Sequence, residues 1–308
     1  MNVLVDTTNL SKDEWLNYRK LGIGGSDVAV VCGISKYKSA LQLWMEKTGQ
    51  IEPQEAGEAA YWGNVMEPII RDEFTLRTSL NVRLVPSILQ HPVHSFMLAN
   101  LDGIVDDTIH GECIFEVKTA SQFKKEQWEK SIPEEYMLQL QHYMAVTGFE
   151  RSYIAVLIGG NQLKYKTVER NDELIEMIIS LEQHFWDCVV DNIPPEIDGA
   201  EASSELINRL YPTSNTCKID LPREASNLII QFEIAKNKEK EALEMKDEAA
   251  NKLKAMLCEN ETGVVGDRII TWKTISSEKF NSKILQEKEP EIYKEYISKS
   301  TYRRFSIR

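Results

Sequence analysis

The spacing of apolar and polar residues predicts several helices in the first two thirds of the chain. The sequence SKDE at residues 11–14 has the spacing of a helix capping box, so we expect a helix to begin there. A longer helix is predicted over residues 58–79, with Pro68 at a start or kink inside it. Two further helices are predicted, over residues 133–147 and 172–190, and the second of these carries apolar residues at helical spacing.

Runs of β-prone residues lie between these helices. Three runs, NVRLVPSILQ, FMLANLDGIVDD and ECIFEVKTA, lie within residues 81–120 and are separated by turn residues, which is typical of a β-meander. RSYIAVLIGG and LKYKTVER then predict a pair of strands joined across GGNQ. This order of elements predicts an α/β fold with a mixed central sheet flanked by helices.

The pattern changes near Leu221, where apolar residues begin to recur at alternating spacings of three and four up to Met256. Such a seam is typical of paired helices, although Glu239 interrupts it. We expect an antiparallel partner within the chain, with a dimeric coiled coil as the alternative. The tail is predicted as a strand at 263–274, a helix at 279–297 and a strand at 301–308. We therefore predict a core domain over residues 1–212 and a C-terminal helical and α+β extension over residues 213–308.

Composition narrows the functional classes. With 308 residues, 42% of them hydrophobic and 27% charged, the chain is typical of a globular protein with one sizeable core and an added module. The net charge of -12 disfavours a protein that coats nucleic acid by bulk charge, but leaves room for a local basic groove. Neither a membrane-spanning run nor a signal peptide is apparent, so we expect a cytoplasmic protein without membrane contact.

Metal sites built from cysteine or histidine are disfavoured. The five cysteines are scattered and contain no CxxC pair, which argues against a zinc or iron–sulfur site. His91, His94 and His142 could suggest a metal site, but His91 and His94 flank a proline in a β-prone run, which is the wrong geometry for paired ligands, so we interpret these histidines as surface residues. We expect the helical tryptophans to pack in the core; they are Trp44, Trp62, Trp128 and Trp186.

The predicted strand ECIFEVKTA carries two opposite charges on one face. Glu116 and Lys118 share that face because alternate side chains of a strand point the same way. Asp102 stands fourteen residues before Glu116 and immediately before Gly103, where it could also be a simple turn residue. Two carboxylates, with the carbonyl of Val117, are ligands that Mg²⁺ accepts, and a lysine can act on the attacking water. The three side chains together predict a hydrolytic metal site.

This pattern resembles the PD-(D/E)xK nuclease superfamily. Five ordered blocks resemble the YqaJ-type viral recombinase exonucleases, relatives of phage lambda exonuclease; they are LGIGGSDVAVVCGISKYKSALQLWMEKTG, GNVMEPIIRDEF, ANLDGIV, FEVKTA and YMLQLQHYMAVTG. The chain departs from the superfamily name in having no proline before Asp102. The resemblance implies a restriction-endonuclease-like core and a Mg²⁺-dependent enzyme, with Mn²⁺ as an alternative. Its implied reaction is 5′-to-3′ digestion of double-stranded DNA ends, leaving 3′ single strands for phage recombination.

The resemblance also implies roles for individual residues. The expected metal ligands are Glu67, Asp102, Glu116 and the carbonyl of Val117. Lys118 is expected to act on the water, while Glu67 could instead be an ordinary exposed helix residue. Gln139 and Tyr143 match a QxxxY signature and, four residues apart, share one helix face, whereas Gln141 lies off it.

The segment GGSD is a candidate phosphate site. Ser26 and Asp27 lie where a glycine turn leads into a helix, with Ser26 or Gly25 as the expected cap, and helix starts bind phosphate through free N–H groups. Arg19 could hold the same phosphate, or be an ordinary surface residue.

The resemblance implies a single-strand annealing protein as partner and a ring-shaped homo-oligomer. Two rival hypotheses remain. One is a structure-specific or restriction-type endonuclease with the same chemistry, and the other is a non-catalytic DNA-binding protein.

Overall fold

The computed structural model describes residues 1–54 and 57–307, and its fold is mixed α/β. The helices are α1 (Lys12–Lys20), α2 (Val28–Val31), α3 (Ala40–Lys47), α4 (Glu58–Thr78), α5 (Lys125–Lys130), α6 (Glu134–Thr147), α7 (Asp172–Val190), α8 (Glu201–Leu210), α9 (Ala225–Leu257), α10 (Ser282–Lys288) and α11 (Pro290–Tyr296). No helix among the described residues is long and apolar enough to cross a membrane. The chain divides into two compact units, Met1–Leu210 and Tyr211–Arg308.

The strands of the first unit form two sheets. They are β1 (Asn2–Asp6), β2 (Ile23–Gly24), β3 (Val82–Arg83), β4 (Ser87–Gln90), β5 (Met97–Ala99), β6 (Gly103–Asp107), β7 (Gly111–Ala120), β8 (Arg151–Ile158) and β9 (Gln162–Glu169). The larger sheet has the order β3-β6-β7-β8-β9 and is mixed, since β7 and β8 run parallel while its other neighbours are antiparallel. The smaller sheet has the order β1-β4-β5-β2.

The predicted β-meander is wrong. The region from residue 81 to 120 forms five strands, of which β4 and β5 belong to the smaller sheet and β3, β6 and β7 to the larger one. Pro86 separates β3 from β4; it has no N–H for a ladder, and its carbonyl instead accepts a bond from the Thr7 N–H. The N-terminal segment forms β1 and pairs with β4, a long-range contact that a reading of local patterns did not anticipate.

The helix predictions in this unit hold. The capping box of α1 is present, because the Ser11 hydroxyl accepts from the Glu14 N–H and the Glu14 carboxylate accepts from the Ser11 N–H. Helix α4 runs through Pro68, and α6 ends at Gly148, whose φ of 79° favours glycine. The predicted strand pair is the antiparallel pair β8–β9.

Strand β7 lies at the centre of the larger sheet, between helices α4 and α6. On one side of the sheet Phe115 packs against Phe74 of α4, with ring centroids 4.7 Å apart. On the other side α6 contacts both β7 and strand β5 of the smaller sheet, so this helix lies between the two sheets. Because β7 and β8 are parallel, their connection has to cross over the sheet, and α6 lies on that crossover. The charged face of β7 is thereby covered by α6.

The second unit contains α9, the antiparallel hairpin of β10 (Thr262–Val265) and β11 (Arg268–Thr271), and the short helices α10 and α11. The expected antiparallel partner of α9 within the chain is wrong, because no other described helix packs along it. The tail also differs from the prediction. The single strand predicted at 263–274 is instead the hairpin of β10 and β11, with Gly266, whose φ is 58°, in the turn between them. The single predicted helix is replaced by two, with Pro290 beginning the second. Residues 301–307 form no strand, and residue 308 lies outside the described residues.

We expect a chain ending at residue 210 to fold without the second unit. Nearly all buried apolar side chains of the described residues belong to the first unit, and Leu257 is the exception. Thermal unfolding followed by circular dichroism should therefore show one cooperative transition for residues 1–210, close to that of the full chain. A gradual transition, or aggregation during purification, would contradict this independence.

Candidate active site

Glu116 is a buried carboxylate at the centre of the site. Its side chain lies on β7 with 2% exposure. One oxygen, Oε1, accepts hydrogen bonds from the Lys118 ammonium at 2.5 Å and from the Gln139 amide of α6 at 2.7 Å. The expectation that Glu116 and Lys118 share a face of the strand is therefore confirmed. The other oxygen, Oε2, is buried and receives no hydrogen bond from the protein.

Asp102 reaches the same strand from the loop before β6. Its carboxylate Oδ2 accepts a hydrogen bond of 2.8 Å from the backbone N–H of Val117. The β6–β7 ladder ends at the pair Gly103–Phe115, so this side chain takes over as partner of β7 where β6 stops. Gly103 is required here because an added Cβ would lie 2.5 Å from a methyl carbon of Val82. Close packing of β3 thus sets the point at which Asp102 turns toward β7.

Two further predicted ligands lie around this pair of carboxylates. In a strand the N–H and C=O of one residue point to the same edge. Because the Val117 N–H meets Asp102, its carbonyl also points toward the edge that β6 has left open. Glu67 of α4 is half-buried and close enough to Asp102 for the two charges to interact. Within the described residues, no three Asp, Glu, His or Cys side chains gather into a ready metal cage.

The pKa values of all three acids in the site are raised. Burial raises the pKa of Glu116 to about 8, and the Asp102 carboxylate adds to the effect. Burial likewise raises the pKa of Asp102 and of Glu67, whose pKa is raised further by Asp102. Burial alone would lower the pKa of Lys118, but Glu116 and Asp102 outweigh it and raise that pKa. Lys118 therefore stays charged, while each of the three acids keeps its proton to a higher pH than it would in water.

Tyr143 connects this centre to a small pocket. Its hydroxyl accepts a hydrogen bond of 3.0 Å from the same Gln139 amide that holds Glu116. Burial raises the pKa of Tyr143 well above its usual value, so the hydroxyl keeps its proton. Gly25 lies against the ring, and an added Cβ there would sit 2.4 Å from a ring carbon. The glycine turn is therefore needed to admit Tyr143.

Arg19 and Ser26 line that same pocket, together with Tyr143. The guanidinium of Arg19 donates to the Ser26 hydroxyl at 2.9 Å and lies 5.0 Å from the Trp15 ring centroid. The expected cap by Ser26 or Gly25 is wrong, since no side chain caps α2, which has only four residues. Any anion held here would therefore meet the Arg19 charge rather than a long helix start.

Asp27 is turned away from this pocket into a buried ion pair. Its carboxylate accepts from the Lys47 ammonium at 2.8 Å and from the Gly24 N–H at 3.1 Å, and Arg19 lies 3.7 Å away. Burial would raise the pKa of Asp27, but Lys47 and Arg19 outweigh it and hold the pKa well below its usual range. Asp27 is thus placed to orient Arg19, and not to contact a phosphate itself.

A larger groove, with a volume of about 390 Å³, opens over the buried centre. Ser26, Lys118 and Gln139 line its inner part. Sequence patterns missed three further lining residues, Lys36, Lys124 and Tyr136. The Tyr136 ring lies 5.0 Å from the Lys118 ammonium and stacks on Trp128. The lysines of the local sequence SKYK were the one signal in the sequence for this groove. Their place in the groove depends on the fold, which brings the segment beside β7.

Other candidates have structural explanations. His91 Nδ1 accepts hydrogen bonds from the N–H groups of Val93 and His94, which makes it a turn residue. The surface interpretation is wrong for His142, which is fully buried between the Glu182 carboxylate and the Leu98 carbonyl. Trp44 and Trp128 are core residues as predicted, but the same prediction is wrong for Trp62, which is 52% exposed.

Comparison with known proteins places these features in a family. A family model described as the YqaJ-like viral recombinase domain matches residues 14–150. Over 312 residues the chain is 37% identical to the uncharacterized protein YqaJ of Bacillus subtilis (strain 168), covering 99% of this chain and 97% of that protein.

Solved structures support the fold. A crystal structure of an alkaline exonuclease from Laribacter hongkongensis matches with a TM-score of 0.52 at 24% identity, covering 65% of this chain and 100% of that one. The structure of that enzyme in complex with dAMP matches with a TM-score of 0.51 at 24% identity, covering 65% and 97%. The predicted PD-(D/E)xK-like α/β core is confirmed.

The Asp27–Lys47 pair predicts a large stability loss when one partner is removed. Both side chains are nearly buried, at 7% and 6% exposure, so Asp27→Asn should leave the Lys47 ammonium without a counter-charge. We expect the free energy of unfolding in urea to fall by about 3 kcal/mol or more. Glu52→Gln, which breaks the exposed contact with Lys20, is the matched control and should change it by less than about 1 kcal/mol. Equal small effects of the two variants would contradict the role given to Asp27.

Proposed function

The chain belongs to the YqaJ family, and on that basis we propose that it is a metal-dependent deoxyribonuclease that degrades double-stranded DNA from its ends. The observation that carries the proposal is the convergence of Asp102, Glu116 and Lys118 at the end of the β6–β7 ladder, beneath an open groove. Two carboxylates and an ammonium at one point are suited to phosphodiester hydrolysis and have no evident structural purpose.

The residues present fit a divalent cation. Glu116 Oε2 is buried without a hydrogen bond, and burial raises the pKa of both Glu116 and Asp102, so the protein alone disfavours two ionised carboxylates at this point. Asp102, Glu116 and the Val117 carbonyl would hold Mg²⁺, with Mn²⁺ as an alternative and Glu67 at the edge. The described part of the chain contains no complete protein cage, which is consistent with this ion, because Mg²⁺ usually keeps several waters and takes only one or two carboxylates. A bound cation would supply Lewis-acid polarisation of a phosphate oxygen.

The protein side chains have separate tasks in this proposal. Lys118 is charged, so it would orient the attacking water and stabilise negative charge on the phosphate by donating hydrogen bonds, rather than remove a proton. Gln139 holds Oε1 of Glu116, which leaves Oε2 available to a cation. Tyr143 accepts from Gln139, so its own proton is free to be donated into the pocket beside Arg19.

Substrate binding is assigned to the groove despite the acidic chain. The net charge of -12 opposes nonspecific binding, whereas one groove is lined by three lysines, Lys36, Lys118 and Lys124, against one acid, Glu135. A phosphate backbone would be attracted there because lysine contacts release counterions. The acidic charge on the rest of the surface repels DNA and therefore favours binding along this groove.

Polarity is assigned to the pocket at Arg19. Arg19 and Ser26 would hold a terminal 5′ phosphate while the groove leads the same strand to Glu116. Digestion would then run 5′ to 3′ and leave 3′ single strands for recombination. On family grounds we also propose a cytoplasmic site of action, a single-strand annealing partner and a homo-oligomeric ring.

A comparison of linear with closed circular duplex DNA tests the proposed degradation from DNA ends. Linear duplex with Mg²⁺ should be degraded and closed circular duplex should not, because end recognition precedes cutting. Glu116→Gln should abolish degradation, and Lys118→Ala should slow it by about 10²-fold or more. The exposed pair Glu291–Lys294 offers controls of the same chemistry, and Glu291→Gln and Lys294→Ala should retain full rate. Cutting of circles would favour the endonuclease hypothesis, and DNA binding without any cutting would favour a non-catalytic protein.

A second comparison tests polarity. Duplexes with 5′-phosphoryl ends should be degraded about ten- to a hundredfold faster than those with 5′-hydroxyl ends, as expected for one charge-assisted contact. The double variant Arg19→Ala, Ser26→Ala should lose the preference. Lys20→Ala, at the neighbouring surface position, should keep it. A preference that survives the double change would remove this pocket from the mechanism.

A further inference from the structure

Helix α9 exposes a regular apolar seam. The helix has 33 residues, and its seam positions are Ala225, Leu228, Phe232, Ala235, Glu239, Ala242, Lys246, Ala249, Leu253 and Met256. Leu228 is 65% exposed and Met256 is 78% exposed. Phe305 contacts Phe232, with ring centroids 5.7 Å apart, and still leaves that side chain 42% exposed. Among the described residues, no helix packs along this seam.

A helix with such an exposed apolar seam is not expected to be stable on its own in water. A helix of this length extends for about 50 Å, and helices in proteins gain most of their stability from a packed apolar face. The seam repeats at the heptad spacing that two supercoiled helices share. A second helix with a complementary seam is therefore the expected occupant.

A parallel pair of identical helices fits badly. In such a pair each seam residue meets its own counterpart. Glu239 would meet Glu239 and Lys246 would meet Lys246, which places like charges together twice. Four seam residues would each face alanine and leave a gap, namely Ala225, Ala235, Ala242 and Ala249. Charge and volume both oppose this arrangement.

An antiparallel pair fits well when the two helices overlap along their whole length. Seam residues then pair across the two-fold axis as Ala225 with Met256, Leu228 with Leu253, Phe232 with Ala249, Ala235 with Lys246, and Glu239 with Ala242. Each large or charged side chain in the middle of the helix thus faces an alanine. That alternation of large and small residues allows the helices to approach closely.

The two interrupting charges also become complementary. In this register Glu239 lies one layer away from Lys246 of the partner subunit, and the two-fold axis repeats the contact. The axis also places the two Glu239 side chains in adjacent layers, so two opposite-charge contacts act against one like-charge contact. The Glu239 and Lys246 side chains are long enough to meet across one layer, and the alanines opposite leave room for them. A buried polar pair of this kind specifies orientation and register in coiled coils.

We propose that two copies of this chain associate through α9 as an antiparallel two-stranded coiled coil. The occupant of the seam is the same segment of a second copy, in an isologous contact. The predicted internal partner of the seam is replaced by an external one of identical sequence. The proposal does not depend on the nuclease assignment, because it rests on the second unit alone.

Charge reversal tests the orientation. Sedimentation of the full chain over a range of concentrations should show an equilibrium between monomer and dimer. The dissociation constant of that dimer should rise by about tenfold or more in Glu239→Lys and in Lys246→Glu. The double variant Glu239→Lys, Lys246→Glu should recover the wild-type value, since the exchanged charges still meet. In a parallel pair the double variant would still place like charges together. Glu244→Lys, on the opposite face of α9, is the matched control and should sediment as the wild type does.

Cross-linking tests the register independently of affinity. In a background of Cys217→Ser and Cys258→Ser, which removes the exposed native thiols, Leu228→Cys with Leu253→Cys should form an intermolecular disulfide on oxidation. Each single cysteine variant should not, because neither position faces itself. Cross-linking by Leu228→Cys alone would establish a parallel pair and overturn the proposal. A sedimentation mass that is the same for both charge-reversal variants as for the wild type would also overturn it. That result would indicate that a different protein covers the seam. A ring formed through the first unit would alter the absolute mass but not these responses.

Discussion

The burial of the Glu116 carboxylate is the constraint around which the first unit is organised. A carboxylate removed from water must be met by donors or by a cation. Lys118 on the same strand and Gln139 on α6 satisfy one of its oxygens. This arrangement requires a helix directly over the charged face of β7, and the crossover between the parallel strands β7 and β8 places α6 there. The parallel pairing of β7 and β8 thus supplies the helix that the buried carboxylate requires.

A second buried charge lies behind the first. The Asp27–Lys47 pair is as enclosed as Glu116, and the path between them runs through Tyr143, Gly25 and the GGSD turn. Buried ion pairs are weak sources of stability compared with apolar packing, because each charge is costly to remove from water. Their value here is orientation, since Asp27 lies 3.7 Å from the Arg19 guanidinium that lines the pocket. A pocket for an anion needs such a fixed positive group, and a flexible surface arginine would not provide one.

Sequence patterns predicted features that depend on neighbours in the chain. The capping box at Ser11 and the end of α6 at Gly148 follow from local chemistry, and both are present. The shared face of Glu116 and Lys118 follows from strand geometry. Local patterns failed where the outcome depended on distant partners. The split of the predicted meander required β1 to pair with β4, and the basic groove required Lys36 and Lys124 to meet after folding. The exposure of Trp62 has the same origin, since its helical position alone does not define what covers it.

The α9 seam shows how far periodicity alone can lead. Heptad spacing indicates that a helix needs a partner, but the spacing is the same for an internal, parallel or antiparallel one. The structure removes the internal choice by leaving the seam exposed. The residues that interrupt the pattern distinguish between a parallel and an antiparallel pair. Glu239 and Lys246 weaken the seam as a simple apolar stripe, yet they favour an antiparallel over a parallel pairing of two identical helices. In a symmetric pair, the least hydrophobic layers therefore carry the most information about the partner.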